Sequence, residues 1–306
     1  MWITDMEDLS YLANAPAPRR KKKNVTFALT KWFVFALFVF YAATLLFPFL
    51  WMLLNSFKSG NDFNGSGADF AANVFGWPRE FYGKNFIEIM TFEIDGETVW
   101  SMFINSIIVT VLGTIINVFL SACAAYALAK YRFPGSKIIY GLAIFSMVVP
   151  IVGTLPSQVV MMETLGIDDS LLGILFLYSG CFGFNFVMLY SAFRSISWSY
   201  AEAASMDGAG RFKIFFKVML PMAKGPILAC SILQAITLWN DYSTPFLFWP
   251  SHQTLAVGLY NIQEAQSGNP PAIFATMIVA VVPVLILYAC FQKKIIENTN
   301  AGGLKG

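Results

Sequence analysis

Residues 33–53 read FVFALFVFYAATLLFPFLWML, a stretch without one charged side chain, bounded by Lys31 and Lys58. A helix needs about 20 mostly apolar residues to cross roughly 30 Å of hydrocarbon. A Lys, Arg or Asp at the helix centre costs about 2.5–3.5 kcal/mol on insertion scales, so charge-free intervals are the guide to further crossings. Working outward, such intervals lie between Glu97 and Lys130, Lys137 and Glu163, and Asp169 and Arg194. Two more run from about Pro226 to Phe248 and from about Ile273 to Gln292. The pattern predicts an all-α integral membrane protein of six transmembrane helices, about 32–54, 103–128, 138–160, 171–192, 226–248 and 273–292. A tail over 1–31 precedes this membrane domain of 32–296, and a second tail, 297–306, follows it. Pro48, Pro150, Pro156 and Pro283 fall inside the runs and predict kinks, since proline removes a helical hydrogen bond.

Composition agrees. Of the 306 residues 57% are hydrophobic and only 12% charged, against about 25% charged in a soluble domain. Cys123, Cys181, Cys230 and Cys290 lie in apolar runs without a CxxC pair, as small packing residues do. His252 is the single histidine, which excludes a histidine-based metal site. The first apolar run follows some thirty polar residues and exceeds the core of a cleaved signal peptide, so it reads as a permanent anchor.

Charge placement orients the helices. Of the 20 basic residues, 17 fall on one side: Arg19 to Lys31, Lys130 to Lys137, Arg194 to Lys224, and Lys293 onward. Only Lys58, Arg79 and Lys84 lie opposite, together with acids such as Asp62, Asp69, Glu93, Glu163, Asp168 and Asp169. The positive-inside rule then makes both termini cytoplasmic, with 55–100, 161–170 and 249–272 external.

The longest predicted internal loop contains RSISWSYAEAASMDGAGRFKIFFKVMLPMAKG, residues 194–225. Good helix formers up to Met206 meet turn chemistry at Asp207-Gly208. An amphipathic stretch, Arg211 to Met219, follows, and Leu220-Pro221 closes it at the start of the next helix. A helix, glycine turn and helix at the membrane surface make a stiff protruding knob. Small Ala203 and Ala204 permit close approach of another surface, Gly208 permits the turn, and Glu202 can pair with a partner arginine.

Glu202-Ala203-Ala204, three residues, Gly208, nine residues, then Val218-Met219-Leu220-Pro221 resembles the EAA loop of permeases from binding-protein-dependent ABC importers. Val218 stands where that pattern has isoleucine. The resemblance extends to maltose-type carbohydrate permeases through Phe103-Ile104-Asn105-Ser106, Tyr126 to Lys130 with Arg132-Phe133-Pro134-Gly135, and Trp239-Asn240-Asp241-Tyr242. Thr254 to Leu259 and the ending Gly302 to Gly306 fit as well. It implies a prokaryotic plasma (inner) membrane subunit, not an enzyme, in a carbohydrate importer. The implied partners are a second homologous permease, a cytoplasmic ABC ATPase dimer, an extracytoplasmic sugar-binding protein and membrane lipid, without nucleic acid. The loop would be the coupling helix between spans four and five, with Glu202, Ala203, Ala204, Asp207, Gly208, Leu220 and Pro221 at the ATPase. The chain has no GxxxxGK[ST] loop, so it needs no cofactor of its own and ATP is hydrolysed by the partner.

Polar residues inside spans are costly and face a cavity or a neighbouring helix. Asn185, Gln234, Trp239, Asn240 and Asp241 are candidates for the translocation pathway, alongside Asn105, Ser106, Asn117 and Gln158. Amides bond sugar hydroxyls and aromatic faces stack on sugar rings; Trp239, Asn240 and Asp241 alternatively form an outer gate. An importer for a polyamine, phosphate or amino acid shares the loop and stays open as an alternative. An ion-coupled secondary transporter is disfavoured because Asp241 is the only acid within a span, and no convergent catalytic set points to a membrane enzyme.

Overall fold

The computed structural model describes residues 25–63, 73–148 and 153–300; the basic cluster at 19–23, Asp69, Pro150 and the tail from Ala301 lie outside them. The chain divides into two units, Met1–Trp51 and Met52–Gly306. Nearly all of helix α1, Val25–Asn55, belongs to the first. Its Trp32, Phe33, Phe38 and Phe40 leave 63–71% of their surface uncovered, an all-round apolarity suited to lipid.

The second unit begins with a 3-10 turn, Gly60–Phe63, and helix α2, Asn85–Met90. A hairpin of β1 (Glu93–Ile94) and β2 (Glu97–Thr98) follows. Asp95 and Gly96, with φ of 53° and 84°, form the two-residue turn that matches strand twist. An all-α reading does not anticipate this small sheet. The Thr98 hydroxyl then accepts the Ser101 amide and starts α3, Val99–Lys130.

After α3 come α4 (Ser136–Val148), α5 (Leu155–Leu165), α6 (Leu171–Tyr178), α7 (Phe184–Ser195) and α8 (Ser199–Met206). Next, α9 (Arg211–Ile214) passes through a π turn, Phe215–Met219, into α10 (Leu220–Met222). The unit ends with α11 (Lys224–Trp239), α12 (Ser243–Phe248), α13 (Leu255–Ala265) and α14 (Pro270–Asn300).

Helix α3 is the hub, packing along α6, α7 and α11, while α11 and α13 also lie on α14. Near its C-terminal end, Ala122, Ala125 and Tyr126 are buried with Phe186, Leu189, Phe193, Phe215 and Met219. Near its N-terminal end, Val99 meets Ile89, Trp239, Leu255, Ile262 and Ala275. Between them Val109 packs with Met162, Ile174, Phe248 and Trp249. Alanines at the crossings let backbones approach closely, as lipid-embedded helices require.

Among the described residues three helices are individually long and apolar enough to cross a membrane: Thr30–Asn55, Val99–Lys130 and Pro270–Lys293. The other three expected spans are divided. Span three is α4 and α5, span four is α6 and α7 with a break at 179–183, and span five is α11 and α12 with a break at 240–242. The expected external loop 161–170 starts later because α5 continues to Leu165, and 249–272 contains α13. Pro48 and Pro283 sit inside continuous helices, and Pro156 opens α5 rather than bending it.

Candidate functional site

At the C-terminal end of α3, the segment 196–222 is fastened by aromatic rings. Tyr126 meets Phe193 at 5.5 Å and Phe215 at 4.8 Å, and Tyr131 meets Trp198 edge-on at 5.9 Å. Lys130 Nζ donates to the Ile196 carbonyl. From this base α8 turns Ala201 into the core, leaving Glu202, Ala203, Met206 and Asp207 exposed and Ala204 half-buried.

The helix stops at a glycine cap. Gly208 (φ 77°) donates its N–H to Ser205 O at 2.9 Å, and Ala209 donates to Ala204 O at 3.0 Å. This 5→2 and 6→1 pair is the Schellman motif, which requires the left-handed conformation glycine adopts without penalty. Among the described residues Glu202 makes no ion pair, so its charge faces outward.

The amphipathic stretch beyond it closes at Leu220-Pro221, which stand in the first turn of α10 as the sequence leads one to expect. The path then turns 77° into α11 at Ala223. Pro221 has no N–H to give to Lys217, and the wide π turn at 215–219, where Leu220 N–H reaches Phe215 O, adjoins it. Leu220 is half-buried and Pro221 exposed. Only Ala223 separates the two helices.

A second constellation fills the break in span four. Asn185 Nδ2 donates to Asn117 Oδ1 and Gln234 Oε1, both at 2.8 Å, so α7, α3 and α11 share one amide cluster. Asn117 Nδ2 donates to the carbonyls of Tyr178 and Gly180 at 3.0 Å, and Ser121 Oγ to that of Cys181 at 3.1 Å. The Tyr178 carbonyl ends α6, and those of Gly180 and Cys181 lie in the break itself. Polar side chains on α3 replace its missing helical bonds, the condition for irregular backbone at membrane depth. Beside them opens a cavity of about 550 Å³, bordered by Asn117, Ser121, Phe184, Asn185, Gln234 and Thr237.

The remaining candidates lie at the other end of α11. Trp239 is buried, gives its indole N–H to Ala280 O at 2.9 Å, and packs edge-on against Phe103. Asn240 is exposed and bonds Ile236 O. Asp241 accepts the Tyr178 hydroxyl at 2.8 Å and the Thr244 amide at 3.1 Å, linking the two broken spans. Trp239 and Asn240 border a separate cavity of about 450 Å³ with Tyr242, Leu255 and Met277. The structure therefore joins Asn185 with Gln234 and keeps both apart from that second cavity. Sequence reasoning passed over Tyr178 and Ser121; their role comes from bonds across about sixty residues and leaves no local signal.

Comparison with known proteins follows the same lines. Residues 119–297 match the profile of the family described as binding-protein-dependent transport system inner membrane component. The chain is 30% identical over 274 residues to the diacetylchitobiose uptake system permease protein NgcG of Streptomyces coelicolor, covering 87% of this chain and 86% of that one. It is 31% identical over 260 residues to the polygalacturonan/rhamnogalacturonan transport system permease protein YtcP of Bacillus subtilis, covering 77% and 90%. Among solved structures, a chain of a bacterial ABC transporter involved in the import of the acidic polysaccharide alginate superposes with a TM-score of 0.73. That chain is 25% identical, over 90% of this chain and 99% of its own length.

Proposed function

Because the chain belongs to the family of binding-protein-dependent transport system inner membrane components, we propose that it is one permease subunit of an ATP-driven carbohydrate importer. The cargo named for both relatives is a saccharide, which favours sugar over a polyamine, phosphate or amino acid. Each divided helix pair crosses the membrane once, giving six crossings with both termini in the cytoplasm. Residues 1–31 and 297–306 are the cytoplasmic tails of the 32–296 permease domain. A second permease completes the pathway, a binding protein delivers cargo from outside, and a cytoplasmic ATPase dimer hydrolyses ATP.

The coupling element is the 199–222 segment, and the observation that carries this is its mounting: one face clamped through Phe215 to Tyr126, the other exposed and ending in the Gly208 cap. Closure of the ATPase dimer draws the knob, and α11 and α7 swing as levers to alternate the access of the cavity. Cysteine cross-linking tests it. In the assembled complex a cysteine at Met206 joins the ATPase subunit and changes reactivity on ATP binding. A cysteine there that reacts only with outside reagents, or never reaches an ATPase, sinks the assignment.

A further inference from the structure

The field inside the 550 Å³ cavity is set by backbone ends and amides alone. Helix α7 begins there with its positive pole at Gly183, without a side-chain cap, while the last carbonyl of α6, at Tyr178, is held by Asn117. Gly183, with φ 157° and ψ −161°, occupies backbone space essentially reserved for glycine. No Asp, Glu, Lys or Arg is among the residues bordering the cavity. A bound carboxylate would lose its water and find no cation, and the partial charge of one helix end is small against that loss. Hydroxyl groups fit: each donates and accepts, and while the N–H groups of Asn117 and Asn185 are spent within the cluster, the Gln234 NH2 and the Asn185 side-chain oxygen remain to meet them. Phe184, half exposed at the rim, offers an apolar ring face. The volume falls within the usual range of ligand sites, roughly 300–1,000 Å³.

We infer that this cavity is a binding site for one glycosyl unit of a neutral sugar, so that this subunit itself holds cargo and turns away uronates. The inference rests on the importer reading above and adds the site and the charge of its ligand.

Phe184→Ala removes the ring face and Thr237→Leu narrows the mouth, and neither touches the Asn117, Asn185 and Gln234 bonds. Thr237 bonds only within its own helix. The full complex, with binding protein, second permease and ATPase, is reconstituted in proteoliposomes and offered diacetylchitobiose, a neutral arabinotriose and digalacturonate. Both variants are expected to assemble into the full complex and to lose neutral-sugar uptake at least tenfold. Wild-type uptake in both assembled variants overturns the site, as does digalacturonate entering the wild type as fast as the neutral sugars. Were the assembled wild type to carry a panel of amino acids, phosphate and polyamines but no saccharide, the importer-of-sugar reading would fail instead.

Discussion

Ser106 Oγ accepts the backbone N–H of Leu255 at 2.7 Å, joining residues 149 positions apart on α3 and α13. Both are buried, at 3% and 1% exposure. Next to it Asn105 donates to the Gln253 carbonyl at 3.1 Å. Two of the motif fragments shared with maltose-type permeases, Phe103-Ile104-Asn105-Ser106 and Thr254 to Leu259, therefore form one joint. The first supplies the acceptor for the opening turn of the second, where helix amides lack partners of their own.

Ser106→Ala leaves the Leu255 amide buried and unbonded, at a cost of about 1–3 kcal/mol. The purified complex should melt at a lower temperature and expose the 249–266 segment to protease, while Ser106→Thr retains most of the stability. An unchanged melting curve for the alanine variant would show that water or a shifted backbone replaces the bond.

At Gly208 the expected defect is conformational. A built Cβ would meet nothing within 4 Å, so no clash stands in the way of a side chain. The φ of 77° costs a non-glycine residue roughly 1–2 kcal/mol, more for a β-branched one. Gly208→Val should abolish uptake with membrane insertion intact, because the Schellman cap and the exit direction of α9 are lost. Asn tolerates the left-handed region, so Gly208→Asn should recover part of the uptake. Equal uptake by the Val and Asn variants would remove the cap from the coupling mechanism. Glu202→Lys tests the same surface by charge, and should lose transport without loss of insertion.

The long spans were legible because a continuous apolar run such as 33–53 has no alternative in lipid but helix. The breaks were not. The prolines mark expected kinks, and helix continues through Pro48 and Pro283, while span four breaks at 179–183, where no proline stands. What stabilises that break is Asn117 and Ser121 on another helix, and local pattern carries no trace of a partner sixty residues away. The EAA spacing did locate the knob, since its glycine turn is a local device. Leu220-Pro221 was equally local a signal: it stands in the first turn of α10, where proline's missing N–H costs nothing.

Asn117→Leu tests the break. It removes the donor to the carbonyls of Tyr178 and Gly180 and the acceptor for Asn185, at about 1–3 kcal/mol for each group left unsatisfied. Hydrogen exchange across 176–186 should accelerate in the assembled complex, with α1 and α14 unaffected. Exchange as slow as in the wild type would mean that these carbonyls have other partners.

Lys58 sets a pH dependence outside the spans. Its side chain is fully buried and donates to Asn73 O at 2.7 Å and Val74 O at 3.0 Å. Burial lowers its pKa below the ordinary lysine value, and the nearby Asp62 carboxylate only partly opposes this. The folded pKa therefore lies below the unfolded one, and between the two the unfolded chain carries the extra proton. Stability must rise with pH across that window and level off above the unfolded pKa of about 10.4. Lys58→Met lacks the titrating group, so the wild type should gain melting temperature relative to it as the pH rises toward the unfolded value. A gap that stays constant, or moves the other way, would show that the ammonium is better compensated by Asp62 and the two carbonyls than its burial implies.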